Sequence, residues 1–477
     1  MKKHTKIVAT ISDKRCSVEF IKQLYEKGLN VIRLNTAHLD HQGALKIISN
    51  AREVSEKIAI LIDTKGPDIR TTITKKDFEV SEGDKITIKA NPESYSSRQA
   101  INVSYDGFVN DMPLGCKILI DDGELEFEII EKNEDNLVCE VKNDGIVKSR
   151  KSINVPGVHI NLPSLNEKDI GFIDFAIENS VTFIAHSFVR NKEDVIAIQE
   201  ILDKKNSPIK IIAKIENQQG VDNIDEILEK AYGIMVARGD LGIEISAEKI
   251  PGIQKLLVRK ANCKKKPVII ATQMLHSMIE NPRPTRAEVN DVANAIYHET
   301  DAIMLSGETA YGNYPVEAVE TMSKIAKEVE MSVEVRDNTQ IIAVDNQTAI
   351  YLARAAVYAE LQLPLKAIVL DTLTGRTARY VAAFRGKNNV NAICYHKHVM
   401  RELALSYGIY ADYMPPRRST DNFKRDAINI LLEKGVFKPD AIIAIIGGSF
   451  GPRNGASFLE INTVGNLQDM KEYDDRL

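Results

Sequence analysis

Eight short apolar runs recur along the chain, at 6–11, 29–34, 58–63, 181–187, 209–215, 233–237, 267–272 and 301–305, each followed by a segment of helical periodicity. Strand then helix, eight times over, predicts an α/β protein built on a (β/α)8 TIM barrel, whose parallel strands are buried on both faces. An open doubly wound sheet is the alternative that this pattern leaves. Two of the helices can be read directly. Val18, Ile21, Leu24 and Tyr25 share one face, with Gly28 as the stop, and Ile170, Ile173 and Ile177 share another, opened by Asn166.

At 477 residues the chain exceeds a single core. After the third run the helical pattern does not resume until past residue 155. Residues 71–155 alternate instead (Phe78-Glu79-Val80, Lys85-Ile86-Thr87-Ile88) and carry hairpin signals at Asp121-Asp122-Gly123 and Asn143-Asp144-Gly145. The expected organisation is a catalytic barrel from 1–70 and 156–336, with an inserted small β-barrel-like domain at 71–155 placed to act as a lid. A polar stretch at 336–340 marks the second boundary, and renewed strand–helix alternation predicts a C-terminal open α/β domain over 337–477, for regulation or assembly.

The formal net charge of −5 argues against nucleic acid as a partner, and no run approaches the roughly 18 apolar residues of a membrane span. Met1–Thr10 lacks the apolar core of a signal peptide. The five cysteines (16, 116, 139, 263 and 394) have no paired spacing, as expected of a reducing cytoplasm without zinc sites or disulfides.

Active sites of (β/α)8 barrels lie at the carboxyl ends of the strands, so those ends were read for chemistry. The second run ends in Arg33-Leu34-Asn35-Thr36-Ala37-His38, the third in Asp63-Thr64-Lys65-Gly66-Pro67-Asp68-Ile69-Arg70, and the fifth in Lys214-Ile215-Glu216. Arg238-Gly239-Asp240 closes the sixth, Thr272-Gln273 the seventh and Ser306-Gly307-Glu308 the eighth. Lys214 and Glu216 lie two apart, which on a strand means one face. An isolated K-x-E can be a structural ion pair, and Arg238-Gly239-Asp240 a salt-bridged turn. Together, however, the inventory suits phosphoryl transfer. Two carboxylates, Glu216 and Asp240, can hold Mg²⁺ with open positions, Arg33 and Arg70 can grip phosphate oxygens, and Lys214 supplies a compact charge. Amides at Gly239 and Asp240 could hold a carboxylate, and Thr272 stands where a proton could be delivered. There is no P-loop and no G-x-G-x-x-G.

These stretches, with Ile212-Ala213-Lys214-Ile215-Glu216-Asn217, Ala271-Thr272-Gln273-Met274-Leu275, Pro282-Arg283-Pro284-Thr285-Arg286-Ala287-Glu288 and Met304-Leu305-Ser306-Gly307-Glu308-Thr309-Ala310, closely resemble the pyruvate kinase family over nearly the whole chain. The resemblance implies phosphoryl transfer from phosphoenolpyruvate to ADP, with Mg²⁺ or Mn²⁺ as cofactor. It implies that Arg33 and Lys214 contact the moving phosphoryl group and that Glu216 and Asp240 bind the divalent ion. Gly239, Asp240 and Thr272 would hold the substrate carboxylate, and His38 and Arg70 the nucleotide. It further implies a K⁺ site at Asn35, Asp63 and Thr64, weakened because Ala37 stands where the family has Ser. Asp68 is the K⁺-dependent type, since members that dispense with the ion carry Lys there. Asn191 replaces a family Lys that would touch nucleotide phosphate. Thr372, Thr374, Gly375, Arg376 and Thr377 resemble the family's sugar-phosphate effector loop, although ordinary helix capping would also explain them, and the last loop (447–456) departs from the family pattern. The family's usual assembly is a homotetramer. Two rival readings are a Mg²⁺-dependent lyase or aldolase on the same barrel, and a silent regulator with a kinase-like shell.

Overall fold

The computed structural model describes residues 2–160, 162–333, 347–415, 420–433, 435, 437–448 and 455–467; the 336–340 boundary and most of the 447–456 loop lie outside them. Eight parallel strands close into a barrel: Lys6–Thr10, Val31–Asn35, Ala59–Asp63, Phe183–His186, Lys210–Ile215, Gly233–Ala237, Val268–Ala271 and Ala302–Leu305. The first pairs with the eighth as well as with the second, which excludes the open sheet. Alternation then sorts the side chains. Val8, Leu61, Phe183, Ile212, Met235 and Ile269 fill the barrel interior, while Ile7, Ile60, Ile211, Ala213 and Ile215 pack outward against the helices.

The helix at Val18–Lys27 is capped by Ser17, which accepts from the Phe20 amide, and stops at Gly28 with φ 117°. At Glu167–Glu178 the Asn166–Asp169 capping box is present, and of the expected face Ile173 is buried and Ile177 packs half-buried against the core, but Ile170 does not. Ile170 is 43% exposed. The inward residues are Phe172, Ile173, Phe175 and Ala176, because the two phenylalanines pack on the His41 ring, 4.6 and 4.9 Å between centroids.

Residues 69–154 contribute a seven-stranded sheet running Ile69–Arg70, Ser152–Asn154, Lys117–Ile120, Leu125–Lys132, Asn136–Val141, Lys85–Ala90, Ala100–Val103. Asp121, Asp122 and Gly123 all take positive φ and turn the 117–132 hairpin. Asn143-Asp144-Gly145 makes no hairpin. Gly145–Val147 leaves the sheet to pair with Phe78–Val80, and Asn143 instead bridges the Glu126 amide and the Glu124 carbonyl, each at 2.8 Å.

The C-terminal sheet orders Ile409–Tyr413, Val390–Cys394, Leu365–Thr372, Ile442–Gly448 and Ala456–Thr463, the last antiparallel. Its two edge strands escape a reading by apolar runs, because Ile409-Tyr-Ala-Asp-Tyr has one buried residue and 456–463 is mostly half-buried. The C-terminal unit meets the barrel's amino-terminal end through Arg385. Its guanidinium donates to Asp301 Oδ1 and Oδ2 (2.9 and 3.0 Å), Asn262 Oδ1 (2.8 Å) and the Glu299 carbonyl (2.6 Å).

Candidate active site

Since Ile212 points into the barrel, the alternation of the fifth strand turns Lys214 and then Glu216 inward at its carboxyl end, while Ala213 and Ile215 face the helices. Both charges are buried, at 8% and 1% exposure, and Lys214 Nζ lies 2.9 Å from Glu216 Oε1. The third strand brings Asp63 to the same point, 3.2 Å from Lys214 Nζ, and the second strand brings Arg33, whose Nε donates to Asp63 Oδ2 at 2.9 Å. Thr10 accepts from Arg33 Nη1 at 3.1 Å. Four strands thus converge on a buried chain of alternating charge, Arg33–Asp63–Lys214–Glu216.

Burial works against the charges of Asp63, Lys214 and Glu216, and their neighbours decide the outcome. Arg33 and Lys214 outweigh burial at Asp63 and hold it below the usual carboxylate range. At Lys214, Asp63 and Glu216 outweigh burial and raise the ammonium above the ordinary lysine range. Glu216 goes the other way. Burial, with the charges of Asp240 and Asp63 added, pushes it up to about 7 against the pull of Lys214. Asp63 Oδ1 and Glu216 Oε1 are buried and face the Lys214 ammonium at 3.2 and 2.9 Å, with no further hydrogen-bond partner. A carboxylate this crowded by negative charge is chemically fitted to a second cation beside Lys214. Among the described residues no cluster of three or more His, Cys, Asp or Glu is arranged around a metal position, so such an ion would draw further ligands from substrate and water.

The fourth strand supplies what the strand-end reading missed. Ser187 accepts from Lys214 Nζ at 2.9 Å and donates to the Thr64 carbonyl at 2.6 Å, and the Phe188 amide donates to Glu216 Oε2 at 2.7 Å. Phe188 has φ 55°, a strained setting that aims this amide. The signal was present, since Ser187 ends the fourth apolar run as Lys214 stands near the end of the fifth.

Thr272 sits at the end of the seventh strand with φ 68°, unusual for a β-branched residue. Arg238 holds it there, donating to the Thr272 carbonyl at 2.8 Å while its other nitrogen meets Asp291 at 2.7 Å. This gives Arg238 a job beyond a salt-bridged turn. The Thr272 hydroxyl accepts from the Gly239 amide at 2.8 Å and donates to the Ala271 carbonyl at 2.7 Å, so a carboxylate bound at Gly239 would have to displace an internal bond. Asp240, half-buried on the same short helix, lines a cavity of about 360 Å³ between the barrel rim and the inserted sheet.

Arg70 and Ala37 line this cavity too. Arg70 is exposed, paired with Asp68, and donates to the Arg150 carbonyl of the insertion at 2.9 Å. His38 is exposed on the rim. Asn35 and Asp63 are register partners on adjacent strands, but each expected K⁺ ligand is engaged within the protein. Asn35 Oδ1 accepts from the Ala37 amide (3.1 Å), Asp63 serves Arg33 and Lys214, and the Thr64 carbonyl accepts from Ser187. Asn191 caps the helix Lys192–Lys204, accepting from the Asp194 amide at 3.0 Å, which gives this departure a structural reason. In the C-terminal unit, Thr372 accepts from the Gly375 amide at 2.9 Å, closing the turn before the helix Arg376–Ala383; Thr374 and Arg376 are exposed and Thr377 buried.

A closed parallel barrel whose interior cations and carboxylates gather at one rim, beneath an inserted sheet, defines a (β/α)8 enzyme that handles an anionic substrate. Two family models match, "Pyruvate kinase, barrel domain" over residues 2–319 and "Pyruvate kinase, alpha/beta domain" over 351–462. The pyruvate kinase of Borreliella burgdorferi is 49% identical over 97% of this chain and 98% of its own length, and that of Geobacillus stearothermophilus 44% identical over 98% and 81%. The crystal structure of a pyruvate kinase from Cryptosporidium parvum superposes with a TM-score of 0.92 at 34% identity, over 97% of this chain and 96% of that one. The chain belongs to the pyruvate kinase family, and is an enzyme of the phosphotransferase class.

Proposed function

We propose that the chain transfers the phosphoryl group of phosphoenolpyruvate to ADP, giving pyruvate and ATP in glycolysis. The observation that carries this is the buried Arg33–Asp63–Lys214–Glu216 chain, beside a cavity under the insertion that Asp240 and Phe188, whose amide holds Glu216, help to line. Lys214 and Arg33 stabilise the phosphoryl oxygens as charge develops, since fixed charges in a dry site need no reorganisation. Glu216 and Asp240 hold Mg²⁺ or Mn²⁺, which supplies positive charge beside the substrate oxygens. Thr272 and the Gly239 and Asp240 amides orient the substrate carboxylate, with Thr272 beside the carbon that gains a proton. His38 and Arg70 face the nucleotide. The test is a coupled assay: pyruvate formed in step with ADP consumed supports the reading, and pyruvate formed without ADP makes the chain a lyase.

The finer assignments form part of the same reading. Asn35, Asp63 and Thr64 bind K⁺ weakly, residues 1–70 and 156–336 form the catalytic barrel, 71–155 a lid domain, and 337–477 a domain for regulation or assembly. The chain works in the cytoplasm as a homotetramer; no helix among the described residues is long and apolar enough to cross a membrane. Thr372, Thr374, Gly375, Arg376 and Thr377 bind a sugar phosphate that lowers the apparent substrate constant. An unchanged response in Thr374→Ala counts against that last assignment.

A further inference from the structure

At the opposite end of the barrel from the site above, a cavity of about 400 Å³ opens between the amino-terminal ends of the first three strands and the C-terminal sheet. Six lysines line it (Lys2, Lys3, Lys6, Lys27, Lys57 and Lys327) against two acids, Glu26 and Asp412. Asp412 is already engaged by Lys57, and Lys27 turns to Glu320 outside the cavity at 3.1 Å. Lys2, Lys27, Lys57 and Lys327 are exposed, but the other two lysines are not. Lys6 is 1% exposed and Lys3 6%. Lys6 Nζ donates to the Ile409 carbonyl at 2.5 Å and lies 4.2 Å from the Tyr410 ring centroid, and Lys3 Nζ donates to Asn30 Oδ1 at 2.6 Å and the Thr5 carbonyl at 3.0 Å.

Neither buried ammonium has an acid within ion-pair distance among the described residues. The nearby Glu330 carboxylate is occupied by the His4 and Thr5 amides, one at each oxygen and both at 2.7 Å. Carbonyls and ring faces are weak compensation for a buried cation, which is costly unless paired. Burial accordingly pulls Lys6 down to about 7 and Lys3 well below the lysine range. A third polar group on the wall, the Asn391 side-chain Nδ2, is buried and has no hydrogen-bond partner.

We propose that this cavity is a binding site for a small dianion of the phosphate class, held by Lys6 and Lys3 with Asn391 Nδ2, and approached past Lys327. The volume is that of a small-molecule site, and Tyr25, Tyr410 and Leu403 form a less polar wall for the body of a phosphate monoester. A zwitterion fits poorly, because its ammonium would meet the lysine excess. The site shares no residue with the rim cavity or with Thr372–Thr377.

Titration calorimetry on the full chain, with phosphoenolpyruvate and Mg²⁺ filling the rim and ADP omitted, tests this with inorganic phosphate and a hexose monophosphate as probes. Saturable binding is expected that persists in the Thr374→Ala background, where the loop at 372–377 is impaired, and in that background it is weakened about tenfold or more by Lys6→Met, as expected for loss of a charge-assisted hydrogen bond, and weakened also by Lys327→Glu. Tighter binding of the hexose monophosphate identifies a phosphorylated metabolite as the occupant, and equal affinity identifies free phosphate. Lys327 is exposed, so its variant keeps the test alive if Lys6→Met fails to fold. Absence of saturable binding, affinity unchanged in both lysine variants, or loss in Thr374→Ala alone overturns the proposal.

Discussion

Ser187→Ala is the sharpest perturbation of the rim, because it removes one hydroxyl from a fully formed network and touches no charge. The hydroxyl is 2% exposed, accepts from Lys214 Nζ at 2.9 Å and donates to the Thr64 carbonyl at 2.6 Å. A buried hydrogen bond to a charged group contributes about 1.5–3 kcal/mol. If that bond fixes the ammonium where phosphoryl charge develops, its loss appears in the barrier as a fall in kcat of roughly ten- to a hundredfold. Lys214 retains Asp63 and Glu216, so the charge stays in the site and KM for phosphoenolpyruvate should move little. The assay is steady-state turnover coupled to pyruvate reduction, with thermal unfolding measured beside it to confirm the fold. A parent-like kcat, or a rise in KM with kcat unchanged, would refute the claim that Ser187 positions the lysine.

Other outcomes follow from single groups elsewhere. Burial pushes Glu402 up to about 7 against Lys210 and Arg379. The native state therefore binds its proton more tightly than the unfolded chain, and stability falls as pH rises from the ordinary glutamate range through about 7. Glu402→Gln should unfold several degrees above the parent at pH 8 and close to it at pH 4; a difference independent of pH would reject this. Arg385→Met leaves Asp301 buried without its partner and should destabilise by about 3–5 kcal/mol in denaturant titration, whereas a loss under about 1 kcal/mol would mean that the pair contributes little. Replacing K⁺ by tetramethylammonium should lower turnover, and half-activation should need more K⁺ in the parent than in Ala37→Ser. Unchanged activity without K⁺ contradicts the monovalent site.

The barrel was legible because its strands are nearly unbroken apolar runs, and the rim because period two fixes where Lys214 and Glu216 point once Ile212 is inside. What escaped did so for identifiable reasons. Ser187 and Phe188 look like ordinary strand-end residues, and their work is done by one small hydroxyl and a backbone amide. Arg238 acts through a carbonyl on another strand, a partnership no local spacing reveals. The 143–145 turn has hairpin chemistry, but strand partners are chosen by sheet packing, and Gly145–Val147 found Phe78–Val80. Ile170 was assigned inward by periodicity, yet the aromatic pair at 172 and 175 competes for the same groove and wins by area.

Mn²⁺ binding followed by electron paramagnetic resonance, together with turnover, in Glu216→Gln and Asp240→Asn tests the central claim most directly, since Glu216 follows the fifth strand and Asp240 lies on the helix Arg238–Glu244 that follows the sixth, and one ion reaches both only if the rim is built as described. The account predicts that each variant keeps the parent's fold, weakens Mn²⁺ binding about tenfold or more and lowers turnover by orders of magnitude, because an under-liganded ion no longer neutralises the substrate oxygens. Parent-like Mn²⁺ affinity and turnover in either folded variant would contradict it.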